Sequence, residues 1–489
     1  MSATVRRLAA AGAGRGDLVV CTDFGSTWTK LAVVDVTGGR LLATAHHPTT
    51  LDGEVLDGFT AARDALAEVL PDADLSTVVA CSSAAGGLRL AVVGYERAVT
   101  AEAGYRAGLS AGARVVHVSA GELAVSSVTD LLAQRPDVVL LVGGTDGGNA
   151  EVLLHNARQL AAARLRVPVV VAGNADARVE VCAALDRAHV RVVPTGNVLP
   201  RIGVLDPQPA RAAIRDVFVS HVIGGKGLSR SPVFAAMVRA ATPDAVLAGV
   251  ELLADGAGDV PGERDVVVVD VGGATTDVYS ALTPEVADTR PRDVIEVPSR
   301  SRTVEGDLGV RWNAPGVLAA ASAERLLGPD ELKQLTTAAT RRADDPAYLP
   351  DSPQEAAVDA RLAALAATVA LRRHARPEAG TRRGGRDLRP VRLVIGSGGV
   401  LRHAAPAPAH AVLATALEDR GGGWQLPERA RWSIDEHYVL AAAGLLRRSH
   451  PQAAARLLGR TVTLVGHWSI RHAGTPEISG ESQPSNTWL

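Results

Sequence analysis

Cysteine is scarce in this 489-residue chain: Cys21, Cys81 and Cys182 lie far apart, each among small or apolar neighbours. No C-x-x-C or C-x-x-H spacing occurs, which argues against a disulfide framework, a structural zinc and a cysteine-held iron–sulfur cluster within one chain. Reduced, buried thiols fit a cytoplasmic compartment. Aromatics make up only 3% of the chain, so stacking platforms for single-stranded nucleic acid are not expected and the core must rest on Val, Leu and Ala. A formal net charge of −2 gives no field to attract nucleic acid. No run of about 18 apolar residues is free of charges or breakers, so no membrane partner is expected. Lysine stands only at Lys30, Lys226 and Lys333 while arginine is abundant, which draws attention to Lys30 and Lys226.

A chain of this length is expected to form two to four domains. Residues 1–16 read as a disordered leader. Residues 17–113 hold apolar strands at 18–22, 31–36 and 41–45, a helix near 58–70, and strands at 77–82 and 88–93 that continue the same sheet, giving an α/β first lobe. Residues 114–228 alternate strand and helix, the pattern of an inserted parallel α/β module. In it Gly143-Gly144-Thr145-Asp146-Gly147-Gly148-Asn149 ends a strand in a glycine-rich loop without the GxGxxG fingerprint; ligand contact and a tight turn explain it equally well. Residues 208–221 read as a helix at the end of that module; residues 229–430 hold connecting helices, with 229–254 read as helical, and a second lobe with strands at 265–270 and 391–395. Residues 431–471, a helix over 434–449 and a strand over 461–465, return to the first lobe, and 472–489 form a disordered tail. The Arg- and Gly-rich stretch 372–390 reads as a solvated loop.

Two acidic, glycine-punctuated strand turns stand about 250 residues apart: Asp23-Phe24-Gly25-Ser26-Thr27-Trp28-Thr29-Lys30 and Asp270-Val271-Gly272-Gly273-Ala274-Thr275-Thr276-Asp277. Each ends an apolar strand in an acid, then offers small residues whose N–H groups can approach an anion, with hydroxyls as further donors. A carboxylate repels phosphate, so Asp23 and Asp270 make sense beside phosphate only with a divalent cation between them. ATP with Mg²⁺, gripped from two sides, satisfies both turns. A third glycine-rich strand end follows at Gly396-Ser397-Gly398-Gly399-Val400-Leu401-Arg402.

The order of these three strand ends resembles the actin, Hsp70 and sugar-kinase superfamily. That resemblance implies a two-lobed ATPase of duplicated ribonuclease H-like domains. Asp23 and Asp270 would hold the metal through water. Gly25, Ser26, Thr27, Lys30, Gly272, Gly273 and Thr275 would face the phosphates, and Gly396, Gly398 and Gly399 would face adenosine. Asp23, Asp270 and Asp277 form the catalytic acidic set, one of them orienting the attacking water. A narrower resemblance covers nearly the whole chain: Gly143 to Asn149, Asn197-Val198-Leu199-Pro200 with Pro209 to Arg215, Val269 to Tyr279, and Arg302 to Gly309 are similar to the glutamate mutase-associated MutL/GlmL family. It implies an ATP-dependent reactivating chaperone that releases damaged cobalamin, with adenosylcobalamin-dependent mutase subunits as partners and a homo-oligomer as an option. Glu305 and Asp307 follow the second phosphate strand and either report nucleotide state or make a surface turn. The alternatives are a small-molecule, sugar-type kinase, an electron-donating activator of radical dehydratases, and a filament-forming scaffold.

Overall fold

The strand Val266–Val271 is apolar on both faces because both are covered. Val267 and Val269 face a core shared with Val278, Val317, Leu365 and Leu413. Val266 and Val268 face a different core that also takes Val19, Cys21 and Val34 from the other end of the chain. This alternation of one strand between two cores sets the architecture of the computed structural model. It describes residues 3–8, 17–50, 54–83, 88–96, 99–111, 113–222, 228–229, 231–283, 299–376, 385–462 and 464–469.

Two six-stranded sheets carry the two cores. In the first, Arg40–Pro48, Trp28–Asp35 and Leu18–Phe24 are antiparallel, followed by Val78–Ser82 and Val238–Ala241 in parallel. In the second, Arg300–Glu305, Thr276–Ala281 and Val266–Val271 are antiparallel, followed by Leu393–Ser397 and Arg429–Ile434 in parallel. The order and directions repeat, so the chain is a duplicated α/β fold with two lobes. Helices Thr242–Asp255, Val439–Leu446 and Pro451–Thr461 fill the layer between the sheets, where both lobes contribute to one apolar core. Helix Val55–Val69 covers the outer face of the first sheet through Phe59 and Leu66, and Pro353–Ala375 covers the outer face of the second through Leu362 and Leu365.

A third sheet is entirely parallel, with spatial order 192–194, 169–171, 138–141, 89–94, 114–120. Its first strand is Arg89–Gly94, which was expected to continue the first lobe's sheet; it hydrogen-bonds instead between Val138–Leu141 and Arg114–Ala120. The crossover helix Thr100–Ser110 after it is what a parallel connection requires.

Other expectations change for local reasons. Thr4–Arg7, assigned to a disordered leader, forms an antiparallel strand on Arg40–Pro48. The helix expected over 229–254 is broken by the strand Val238–Ala241, because Pro243 fits the first turn of a helix and not its interior. The helix expected over 434–449 begins only at Val439, since Asp435 caps it by accepting from the Val439 and Leu440 amides at 2.9 and 3.2 Å. Thr461, expected to begin a strand, ends the helix Pro451–Thr461, and the strand is Leu464–Ser469. In the stretch read as solvated, Arg372 is buried against Asp419 and Arg386 is buried on the His374 carbonyl and Ser301. Lys226, Arg382, Arg383 and the tail 472–489 lie outside the described residues.

Candidate functional site

The duplicated topology places Asp23 and Asp270 near the ends of equivalent central strands. Each faces a residue on the neighbouring antiparallel strand: Asp23 pairs in register with Lys30, and Asp270 with Asp277. The first turn therefore carries an acid and a base, the second two acids.

Asp23 is buried and fully engaged. Its Oδ2 lies 3.3 Å from the Lys30 ammonium, and its Oδ1 accepts from the Thr242 hydroxyl at 2.5 Å and from the Cys81 thiol at 3.6 Å. Thr242 begins the helix of the middle layer, so the first turn is tied to an element shared by both lobes. Gly25 closes its turn by donating to the Trp28 carbonyl at 3.1 Å, and its own carbonyl accepts from the Thr49 hydroxyl at 2.9 Å. A Cβ on Gly25 would stand 2.7 Å from the Trp28 oxygen, so this turn requires glycine. Ser26 and Thr27 lie at its half-buried tip.

Asp270 sits in an environment that disfavours its charged form. Burial pushes its carboxyl up to about 6, the Asp277 charge adds to the rise, and Lys30 and Ser397 pull against it. Its Oδ1 is buried and has no hydrogen-bond partner, and so is Oδ1 of Asp277. The other oxygen of Asp277 accepts from the Arg302 guanidinium at 2.8 Å and the Tyr279 hydroxyl at 3.3 Å. Two adjacent acids, each with one unused buried oxygen, suit hydrated cation binding. Among the described residues no group of three or more His, Cys, Asp or Glu side chains could hold a metal ion directly.

The second turn is stiffened from outside. Gly272 donates to the Thr275 carbonyl at 2.9 Å, while the Gly272 carbonyl accepts from the Val310 amide and the Gly273 carbonyl from the Arg311 and Trp312 amides. Thr276 donates to the Leu308 carbonyl at 2.7 Å. Glu305 and Asp307, at the start of that supporting segment, both pair with Arg373 at 2.7 Å. They form a clamp on the long helix Pro353–Ala375 and not a free turn.

The third strand end divides by role. Gly398 has φ +104 and its missing side chain leaves room for the Val271 carbonyl, while Gly399 opens to free space. Gly396, expected to face adenosine, is explained by the core: a Cβ there would meet Leu413 at 2.9 Å and Leu401 at 3.0 Å. The loop Gly143–Asn149 is tied down by two neighbouring segments, with Asn197 donating to the Gly144 carbonyl at 3.0 Å and to Asp146 at 2.8 Å, and Asn174 to the Gly148 carbonyl at 2.9 Å.

Tyr438 joins the two turns, and no local pattern pointed to it. Its ring lies under the Lys30 ammonium, 3.4 Å from Nζ to the ring centroid, and its hydroxyl is 3.5 Å from Oδ2 of Asp270. Arg402, just past the third strand end, lies 5.7 Å from the same ring. Tyr438 also lines a small cavity with Asp23, Lys30, His437 and Ala441. The parallel module reaches this region through a buried charge network: Arg211 of helix Gln208–Val217 binds Asp244, with Nε to Oδ1 at 3.0 Å, and Glu251 of the middle helix, while Glu251 also binds Arg447.

A model of the MutL protein family matches residues 19–462. Protein MutL of Clostridium tetanomorphum is 36% identical over 467 residues, which span 92% of this chain and all of that one. Among solved structures, nucleotide-free acetone carboxylase is similar at TM-score 0.37 and 14% identity, covering 88% of this chain and 70% of that chain. Xylulose kinase from Bifidobacterium adolescentis is similar at TM-score 0.30 and 14% identity, covering 93% and 96%. No helix among the described residues is long and apolar enough to cross a membrane.

Proposed function

Because the chain belongs to the MutL protein family, we propose that it is an ATP-dependent reactivating factor that releases damaged cobalamin from an adenosylcobalamin-dependent mutase such as glutamate mutase. The observation that supports this reading is the path Asp23–Lys30–Tyr438–Asp270, a chain of contacts that links the two acidic turns. A nucleotide held there contacts both lobes at once, so its γ-phosphate state can bias their relative position.

In this reading Lys30 and the Gly25, Ser26 and Thr27 donors hold the phosphates from one side, and Gly272, Gly273 and Thr275 hold them from the other. Asp23 and Asp270 hold Mg²⁺ through water, and Asp277 is placed to orient the attacking water while Arg302 fixes its carboxylate. Bound Mg²⁺ supplies neutralisation of phosphate charge. Asp270 with its raised pKa gains most from a cation, since the positive charge offsets both its burial and the neighbouring Asp277. Gly398 and Gly399 leave the adenosine side open. The buried Arg211 network ties the parallel module to the middle helices, which supports that module as the mutase-facing part.

ATP turnover measured without any added sugar, with and without the mutase, tests the reading. Turnover stimulated by mutase is expected. Turnover that needs a sugar or other small acceptor and ignores the mutase would instead make the protein a kinase.

A further inference from the structure

Tyr438 occupies an unusual position for a residue that no sequence motif marks. It precedes the middle-layer helix Val439–Leu446 with φ +60 and ψ +37, a left-handed conformation that a bulky aromatic rarely takes. Such conformations persist where surrounding contacts hold them and gather at ligand sites. Here the contacts are Lys30 on the ring face at 3.4 Å, Arg402 at 5.7 Å, and Asp270 at the hydroxyl. The ring thus stands among two cations and an acid that belong to three separate strand ends.

We propose that Tyr438 is a positioning residue of the nucleotide site whose ring competes with the triphosphate for Lys30. The inference rests on the ATP reading above. The ammonium lies in van der Waals contact with the aromatic face, the arrangement of a cation–π pair. One face of the ammonium is taken by the ring and its nearest carboxylate oxygen, on Asp23, is 3.3 Å away. A phosphate oxygen that approaches the ammonium over the face the ring covers competes with the ring for it. Asp23 is also held by Thr242 and Cys81, whereas Tyr438 is held in the cleft by its contacts against its own backbone preference. The ring is the partner that yields. Rotation at this single residue moves it, because Asp435 caps the following helix independently through the Val439 and Leu440 amides.

Tyr438 therefore sets affinity for ATP. Removing the ring frees Lys30, and glycine also relieves the left-handed backbone. Tyr438→Gly is expected to tighten binding of ATP-Mg, measured by isothermal titration calorimetry, by roughly three- to thirtyfold, the range of a cation–π contact at a partly desolvated site. Tyr438→Leu keeps bulk without an aromatic face and is expected to tighten it less than glycine does. Tyr438→Phe keeps the face and should lie nearer the parent protein than Leu does. A purely packing role has no reason to follow this aromatic order, and Tyr438→Asn, which tolerates the left-handed backbone, guards against misfolding of the glycine variant. The KM for ATP should fall in the same order as the dissociation constant. Equal or weaker binding by the folded Gly and Asn variants overturns the role of Tyr438 while leaving ATP binding intact. Absence of binding by the parent and all four variants overturns the ATP reading itself.

Discussion

Gly444 lies against Gly249 where two helices of the middle layer cross, so closely that a Cβ on Gly444 would stand 2.9 Å from the Gly249 backbone nitrogen. The same Cβ would run into the Ala245 carbonyl, and one on Gly249 into the Leu440 carbonyl. These helices, Thr242–Asp255 and Val439–Leu446, carry Thr242 to Asp23 and hold Tyr438 beneath Lys30. The crossing thus fixes how both turns approach each other.

Gly444→Ala is expected to destabilise the protein, because backbone atoms on the facing helix cannot move aside as a side chain could. Overpacking of this kind costs about 1–3 kcal/mol. Chemical denaturation gives the number, and a folded Gly444→Ala protein with unchanged stability would show that the helices separate freely.

Asp270 gives a pH dependence of definite sign. Its carboxyl in the folded chain is raised from 3.8 to about 6. Between those values the folded state holds a proton that the unfolded state has released, so this group's contribution to stability is full below pH 3.8 and is lost as pH rises through about 6. Without nucleotide, Asp270→Asn should flatten that decline and raise the melting temperature at pH 7, while abolishing ATP turnover. A variant less stable than the parent at pH 7 would contradict the burial argument.

Much of this site was legible in sequence because an acid ending a run such as Val266 to Val269 has no packing reason to be there. The duplication of the sheets was implied by the order of the three glycine-rich strand ends and their resemblance to a known superfamily, and the repeated strand order agrees with it. Thr242, Asp435 and Tyr438 were not legible, since each acts on residues far away in the chain and none sits in a local pattern. The packing reason for glycine at Gly396 was not legible either, since Leu401 and Leu413, which fill the space a side chain would need, stand elsewhere in the chain. Arg89–Gly94 was assigned to the wrong sheet because an apolar strand does not reveal its neighbours; only the crossover connection does.

Arg211 is the next test. It is buried between Asp244 and Glu251, and Arg211→Ala leaves two buried carboxylates short of a partner. Losing one member of a buried ion network costs about 3–5 kcal/mol. Denaturation should show that loss, and any mutase stimulation of ATP turnover should fall more than basal turnover does, since the link between the parallel module and the middle helix is what the variant removes.

Trp312 offers a direct view of the second turn. Its amide donates to the Gly273 carbonyl at 3.0 Å, while the side chain is 56% exposed. ATP-Mg is expected to change tryptophan emission, and the part of the change lost in Trp312→Phe reports movement of that turn. An identical change in parent and variant would place the response elsewhere.

Under the proposed function, nucleotide state changes the shape of a partner enzyme and does not phosphorylate a metabolite. The most direct measurement inactivates glutamate mutase with cyanocobalamin, then adds this protein, ATP-Mg and fresh adenosylcobalamin and follows the return of mutase activity. Recovery that requires ATP-Mg and fails with Asp270→Asn is the predicted result. Recovery equally fast without ATP, or none at all while the protein phosphorylates a small molecule, would contradict it.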